Sequence, residues 1–404
     1  MRILLLTHIF SDFLDGGETR IVWELVQALA KSNHKFFVVS TYTNIKEKNK
    51  LSKNVKIYQV PFCKQTTNFD PVSMLKACLF SLLIIFFKKI DIIHLVSQTG
   101  PCPLAVFKIK PLIVSTDVPW DYDNPKFKKA LLFDHKKKKE ESEITHIKTT
   151  FFDRIIGKLA YFFNKFFHLQ GNFDKRVDMY ICRGTKILNQ LKEENYPSKL
   201  VHIPSGVNVE FFRPNVKPFK EKDKDNLIFL FAGKISQRKG VEYLIKAFLL
   251  LNQKYKNTKL FLVGRGAPST VAYFKKLTQG NSNIIFLGNV SGHQIQYYYT
   301  YSDVFVLPSL GEPFGLVNLE AMACGRPVIS TKGGAVVDYL KDGQVGFIVE
   351  PAEVNELLEA MEKFILDPDL IKEMGLKARK YVVKNYSWER IAKRTLEAYQ
   401  SLIK

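Results

Sequence analysis

Short apolar runs alternate with stretches at helical spacing along almost the whole chain. Residues 2–7 are continuously apolar apart from Arg2 and Thr7, the pattern of a strand buried on both faces in the middle of a parallel sheet. A loop follows at 8–15, then Gly16-Gly17-Glu18-Thr19-Arg20, then Ile21, Val22, Leu25, Ala28 and Leu29 on one helical face. Further strands are predicted at 35–40, 55–60, 91–96 and 111–115, with helical stretches between them. A strand at 177–182, a helix at 185–193 and a strand at 199–203 complete the first half. The polar, charge-rich run 217–226 is the best domain boundary. Beyond it the pattern restarts with a strand at 227–232, a helix face of Val241, Leu244, Ile245, Phe248 and Leu249, and strands at 259–263, 284–287 and 303–307. This alternation predicts an α/β fold of two Rossmann-like, doubly wound parallel sheets facing a cleft where two substrates can meet.

Some segments leave their surroundings open. Residues 77–87 form the most apolar run, between Lys76 and Lys88. It is too short to span a bilayer, which takes about 20 residues, and is read as a buried helix in preference to a membrane dip. Asp121 and Asp123 form a D-x-D that reads as a turn among Pro and Asn. Lys136, Lys137, Lys138 and Lys139 precede Glu140 and Glu141 in a charge run of the kind found in solvated loops. Residues 151–169 place Phe151, Phe152, Ile155, Ile156, Leu159, Phe162, Phe163, Phe166 and Phe167 at helical spacing among Arg154, Lys158 and Lys165. Such a helix either packs on the sheet or lies on a membrane surface.

Composition narrows the partners. A chain of 404 residues with 46% hydrophobic content holds two domains and a large core. Its formal net charge of +21 suits an anionic membrane surface, an acidic substrate or nucleic acid, or else a lysine-rich solvated face. No nucleic-acid module accompanies the charge, so nucleic acid is not expected. The five Cys are scattered with no C-x-x-C, which points to reduced thiols in a cytoplasmic protein. The eight His fall in no metal-ligating spacing, and no cofactor is expected. Residues 3–6 are too short an apolar core for a signal peptide, and no small-residue cleavage site follows.

The densest chemistry lies at Glu312-Pro313-Phe314-Gly315-Leu316-Val317-Asn318-Leu319-Glu320. Pro313 and Gly315 break the chain before a short apolar helix. Gly325 suits a left-handed helix end, with Pro327 just beyond it. The free N–H groups near Gly315, Leu316 and Val317 make an anion site, flanked by the two carboxylates Glu312 and Glu320. Phosphate plus hydroxyls is the chemistry of a sugar nucleotide. In the loop 233–240, Lys234, Arg238 and Lys239 gather before a helix start, where cations oppose the helix dipole unless an anion joins them. The Gly16-Gly17 turn lets backbone approach a ligand, or is simply a tight strand-to-helix turn. Asp117, at a strand's carboxyl end, is either a site residue or a turn-forming Asp before Val118-Pro119.

Taken in order, several pieces resemble the retaining GT-B glycosyltransferases of family 4, the glycosyl transferases group 1, over nearly the whole chain. They are Gly16-Gly17-Glu18, Ile203-Pro204-Ser205-Gly206-Val207-Asn208 before Phe212-Arg213-Pro214, Gly233-Lys234 with Lys239-Gly240, the Glu312 and Glu320 pair, and Ser387-Trp388-Glu389. The resemblance implies an acceptor-binding domain over 1–216, a donor-binding domain over 217–383 and a final helix, 384–404, returning to the first. It implies a metal-independent hexosyl transfer, with retention, from a UDP- or GDP-sugar to a glycan or lipid-linked acceptor. On it, Lys239 binds the donor diphosphate, with Lys234 and Arg238 beside it, Glu312 faces the sugar, and Glu320 holds the ribose. Gly16, Gly17, Gly264 and the amides of Gly315, Leu316 and Val317 complete the donor set, and Asp117 assists the acceptor hydroxyl. The enzyme would be cytoplasmic, or peripheral on the inner membrane face. Lys234 replaces the usual Arg, Thr116 the usual His before Asp, and Ser205 the common Asn, while Arg265 stands where small or acidic residues are commoner. The alternative reading is a non-catalytic nucleotide- or nucleic-acid-binding protein acting through its basic surface.

Overall fold

The computed structural model describes residues 1–11, 17–45, 52–61, 71–96, 109–116, 176–216, 223 and 225–403. Gly16, Asp117, the D-x-D at Asp121 and Asp123, the lysine run 136–139 and the aromatic segment 151–169 lie outside them. The described residues divide into two compact units. One takes those up to 116, then 176–205, then 388–403, and the other takes 206–387.

The first unit is built on strands β1 (Arg2–Ser11), β2 (Lys35–Asn44), β3 (Val55–Gln59), β4 (Ile92–Leu95), β5 (Leu112–Thr116), β6 (Met179–Cys182) and β7 (Lys199–His202). They form one sheet in the order β3-β2-β1-β4-β5-β6-β7, and all its pairings are parallel. Ile3, Leu4 and Leu5 are fully buried, as a strand apolar on both faces must be. β1 and β2 run past the ends of their apolar pattern, pairing through Phe10 with Thr43 and Ser11 with Asn44. The backbone ladder is indifferent to side-chain polarity, so hydrophobic pattern alone ended these strands too soon.

Helices α1 (Gly17–Leu29), α2 (Pro71–Lys88) and α3 (Thr185–Glu193) belong to this unit. The apolar run 77–87 does form a helix, within α2, but the expectation that it is buried is corrected. Ala77, Ser81, Ile84 and Ile85 face inward, while Leu79, Leu83, Phe86 and Phe87 are all more than half exposed. A run apolar on every side carries no sign of which face the sheet will cover.

The second unit contains β8 (Leu227–Ala232), α4 (Val241–Lys254), β9 (Thr258–Val263), α5 (Pro268–Leu277), β10 (Ile284–Gly288), α6 (Ile295–Tyr301), β11 (Val304–Leu307), α7 (Leu316–Ala323), β12 (Val328–Thr331), α8 (Val336–Tyr339), β13 (Gly346–Val349), α9 (Val354–Leu366) and α10 (Asp369–Tyr386). Its parallel sheet has the order β10-β9-β8-β11-β12-β13. Residues 206–216 are tied into this unit. Val207 N–H donates to Tyr386 O at 2.8 Å, and Arg379 Nη1 donates to the carbonyls of Val209, Phe212 and Ala323 at 3.0, 2.7 and 2.9 Å.

The last helix, α11 (Trp388–Ile403), packs with α1 in the first unit. Its anchor is polar. Tyr399 Oη lies 2.6 Å from His94 Nδ1, and Ser115 Oγ lies 2.7 Å from His94 Nε2, all three groups buried. One imidazole thus joins β4, β5 and α11. Burial, with Arg183 adding to it, lowers the His94 pKa to about 3, so the ring is neutral in the folded protein at ordinary pH. The unfolded chain takes up a proton near the ordinary value of about 6.5 and the folded one does not, so stability is full above 6.5 and falls as pH drops toward 3. The dependence of urea-unfolding free energy on pH between 3 and 6.5 will be shallower in His94→Gln than in the parent. Tyr399→Phe, which leaves a buried ring nitrogen unpaired, will lower stability by about 1–3 kcal/mol in the same assay.

Candidate active site

In the second sheet the chain winds outward from β8 through β9 and β10, then returns to lay β11, β12 and β13 on the other side. Loops leaving the carboxyl ends of β8 and β11 therefore diverge. In an open α/β sheet that divergence is where ligands bind. The two loops are 233–240 and 308–315, both singled out by the sequence. The first sheet has its own reversal between β1 and β4, and Gly17 opens the helix that follows β1, its backbone exposed.

The 233–240 loop ends in a single 3-10 turn, Gln237–Lys239, before α4. Gly240 joins the two in the left-handed conformation, φ 71°, and a Cβ there would stand 1.7 Å from Pro308 O. Only glycine lets these loops touch. Leu310 N–H donates to Arg238 O at 2.9 Å and Ser309 Oγ to the same oxygen at 3.2 Å. Arg238 Nη1 reaches Gly311 O at 3.4 Å, and Gln237 Nε2 donates to Glu242 in the first turn of α4. The loops are so closely stitched that Lys239 Nζ forms an ion pair with the Glu312 carboxylate, their side chains 15% and 11% exposed. Burial lowers the Lys239 pKa, Glu312 opposes that, and Arg238 adds to it. The clash of cations with the α4 dipole, for which the sequence invoked an outside anion, is met here in part by the protein's own carboxylate.

The second loop turns into α7 through Gly315, φ 78°. The first N–H groups of that helix have no partner within it. A buried polar network fixes the turn. Tyr339 Oη donates to Phe314 O at 2.8 Å and accepts from Asn318 Nδ2 at 2.9 Å. Asn318 Nδ2 also reaches Ser330 Oγ, which donates to Leu307 O, both at 3.1 Å. Thr331 Oγ1 donates to Ser309 O at 2.5 Å, and Ala335 N–H to Pro313 O at 2.9 Å. At the far end α7 closes as expected on Gly325, φ 73°. Gly325 N–H donates to Met322 O and Arg326 N–H to Ala321 O, both at 2.9 Å, the paired bonds of a Schellman end. Glu320, 2% exposed, accepts from Tyr299 Oη at 2.9 Å.

The structure therefore brings Arg238, Lys239, Glu312, Gly315, Leu316 and Val317 to one corner of the second unit, with Glu320 buried on the helix behind it. Lys234 is exposed at the start of the first loop and forms no ion pair with described residues. Gly264 lies beneath that loop: Gly233 N–H donates to Val263 O at 2.9 Å and Ile235 N–H to Arg265 O at 2.8 Å. Gly17 sits in the first unit, and Gly16 and Asp117 lie outside the described residues. Tyr299, Ser330, Tyr339 and Thr331 were not foreseen as supports, because they reach the loops only through folding. Asn318, a polar residue inside the interval between the two Glu, was the readable signal. Two buried polar atoms here, Ser236 Oγ and Asn318 Oδ1, find no partner among the described residues, and buried atoms of that kind are few in folded proteins. Among the described residues no cluster of three or more His, Cys, Asp or Glu is placed to hold a metal ion.

Comparison with known proteins follows the same division. Residues 212–381 match the family model Glycosyl transferases group 1. The chain is 31% identical over 237 residues to an uncharacterized glycosyltransferase of Methanocaldococcus jannaschii, covering 54% of this chain and 60% of that protein. It is 29% identical over 245 residues to the lipopolysaccharide 1,2-N-acetylglucosaminetransferase of Salmonella typhimurium, covering 56% and 64%. The chain thus spans about half to two thirds of the length of the curated relatives it matches. Among solved structures, sucrose-phosphate synthase of Thermosynechococcus elongatus superposes with a TM-score of 0.73 at 19% identity, over 99% of this chain and 98% of that one. Anabaena HepE, solved with UDP and glucose, superposes with a TM-score of 0.67 at 17% identity over 99% of both. The fold is GT-B, the two-domain fold of glycosyltransferases.

Gly240→Ala will force the 233–240 loop off Pro308 and strain a left-handed residue. A loss of about 2–4 kcal/mol is expected in denaturant unfolding, against less than about 0.5 kcal/mol for Lys234→Ala at the exposed start of the same loop.

Proposed function

We propose that this protein is a retaining glycosyltransferase of family 4, moving a hexose from a UDP- or GDP-sugar to a lipid-linked or cell-surface glycan acceptor. The observation that carries the reading is the Lys239–Glu312 pair at the sheet's reversal point, set against the N-terminus of α7. Support for the donor class comes from Anabaena HepE, a protein of the same fold solved with UDP, glucose and UDP-glucose. Support for the acceptor class comes from relatives that include the Salmonella lipopolysaccharide enzyme and a Staphylococcus aureus capsular polysaccharide glycosyltransferase.

Breaking a sugar–phosphate bond builds positive charge on the sugar and negative charge on the departing diphosphate. In this reading the diphosphate takes Lys239 from Glu312, with Arg238, Lys234 and the N–H groups of Gly315, Leu316 and Val317 around it. The positive loop and helix end then stabilise the leaving group through fixed charges that need little reorganisation. Freed of its lysine, Glu312 turns to the sugar, where a carboxylate hydrogen-bonds hydroxyls and steadies the developing cation. Glu320, held by Tyr299, is assigned the ribose hydroxyls, and Gly264 close approach of the nucleotide. This division of labour gives leaving-group stabilisation to side chains and backbone rather than to a metal. Acceptor recognition is assigned to the first unit, with Asp117 assisting the acceptor hydroxyl, at a cytoplasmic, membrane-peripheral site.

Incubation with a panel of UDP- and GDP-sugars and a lipid extract will release nucleoside diphosphate. Silence across the panel from folded protein would sink the proposal. Lys239→Ala and Glu312→Ala will each lower turnover by about 100-fold or more while leaving the far-ultraviolet circular dichroism of the parent. Parental turnover in both variants would refute the assignment of these residues.

A further inference from the structure

Helix α2 leaves a strip of large apolar side chains in solvent. Leu79 and Leu83, one turn apart, are 55% and 56% exposed, and Phe86 and Phe87 are 80% and 71% exposed. Other exposed large hydrophobics among the described residues are scattered, whereas these lie within one half of a single helix. The rings of Phe86 and Phe87 stand edge to face at 5.5 Å, so they form one aromatic knob. The opposite side of the helix, through Ala77, Ser81, Ile84 and Ile85, is fixed in the unit's core. The strip is therefore presented on a rigid support. Contiguous exposed apolar surface of this kind marks an interaction site.

The surroundings select the partner. Lys88 and Lys89 follow the aromatic knob and are exposed, and Arg2 Nη1 donates to Lys88 O at 3.1 Å, which brings a third cation to the helix end. α2 ends at the amino edge of the first sheet, where parallel strands all begin. Arg2 pairs in register with Lys35, and Lys199 opens β7, with Lys35 and Lys199 both exposed. Of the acids at that edge, Asp91 and Asp178 are turned inward, while Glu193 and Glu194 at the end of α3 are exposed beside Lys192. Asp91 Oδ2 accepts from Arg2 N–H at 2.7 Å, and Asp178 Oδ2 from Leu112 N–H at 2.8 Å. The edge thus carries more exposed cations than exposed acids, beside a strip of Leu and Phe. In a chain with 60 Lys and Arg against 39 Asp and Glu, this is the complement of an anionic bilayer. A second copy of the chain docked face to face would bring like charges together, and nucleic acid would use the cations but leave the Leu and Phe in water.

We infer that α2 docks the protein on anionic membranes, Leu79, Leu83, Phe86 and Phe87 entering the headgroup–acyl boundary while Lys88, Lys89 and the sheet's amino edge meet lipid phosphates. The inference goes beyond the transferase reading, since this surface lies at the amino edge of the first sheet, the end opposite to the carboxyl ends where ligands bind in open α/β sheets. Its test needs neither donor nor acceptor. The full chain is cosedimented with vesicles of equal parts phosphatidylglycerol and phosphatidylcholine, and with phosphatidylcholine alone. The parent will bind the anionic vesicles at least about tenfold more tightly than the neutral ones, at one kilocalorie or so per surface cation. The double substitution Phe86→Ser with Phe87→Ser will weaken that binding by about tenfold or more, Leu79→Ser with Leu83→Ser will act in the same direction, and Lys88→Glu with Lys89→Glu will remove most of the preference for phosphatidylglycerol. These side chains are exposed, so the variants keep the parent's melting temperature and its release of nucleoside diphosphate from free donor. Parental vesicle affinity in both apolar variants would overturn the proposal. So would failure of the parent to bind, or a parent dimer that Phe86→Ser with Phe87→Ser dissociates without any lipid binding. Vesicle binding by a parent that transfers no sugar would instead count against the transferase reading and leave the docking surface standing.

Discussion

Lys239 and Glu312 meet in a corner that water scarcely reaches, and most of the second unit's local structure serves to make them meet. A pair in such a place adds little net stability, because desolvating both charges offsets much of their attraction. Its cost is accepted where position matters more than energy. Gly240 lets one loop press on Pro308, the backbone bonds from Leu310 to Arg238 hold the two loops in register, and the Tyr339–Asn318–Ser330 network fixes the turn from which Glu312 projects. Breaking any of these would leave a buried charge facing nothing.

The corner exists because of winding order. A doubly wound sheet that grows first to one side and then to the other must part its loops where the direction changes, at β8 and β11 in the second sheet and at β1 and β4 in the first. The second unit fills that parting with cations, a carboxylate and a helix start. The same architecture, repeated in the first unit, is locked by an uncharged device. His94 is kept neutral by burial and bridges Ser115 and Tyr399, so a hydrogen-bonded imidazole in a dry interior ties the closing helix α11 to β4 and β5.

Much of this was legible beforehand. The strands at 227–232 and 199–203 and the helix at 185–193 follow from period and punctuation, since Leu227–Ala232 and Thr185–Glu193 are bounded by polar or glycine breaks. The Schellman end at Gly325 was readable because glycine followed by a nearby proline has few other uses there. The convergence of Arg238 and Lys239 with Glu312 was legible as neighbouring chemistry, though not as a direct pair. Tyr299 behind Glu320 was not legible at all. Two residues on different helices carry no mark of their meeting until the fold packs the helices side by side.

The sequence by itself determined the alternation of elements, the two parallel sheets, and the positions of the glycine-bearing turns before α4 and α7, because each depends on local periodicity and on the backbone freedom of single glycines. Tertiary structure alone decided which charges neutralise each other and which faces meet water. Lys239 lies far from Glu312 along the chain, and only the adjacency of β8 and β11 brings their loops together. Helix α2 shows the same limit from the other side. Its sequence is apolar all round, so nothing local distinguishes Ile84 and Ile85 from Phe86 and Phe87. The sheet, which can cover only one side of a helix, left the second pair outside.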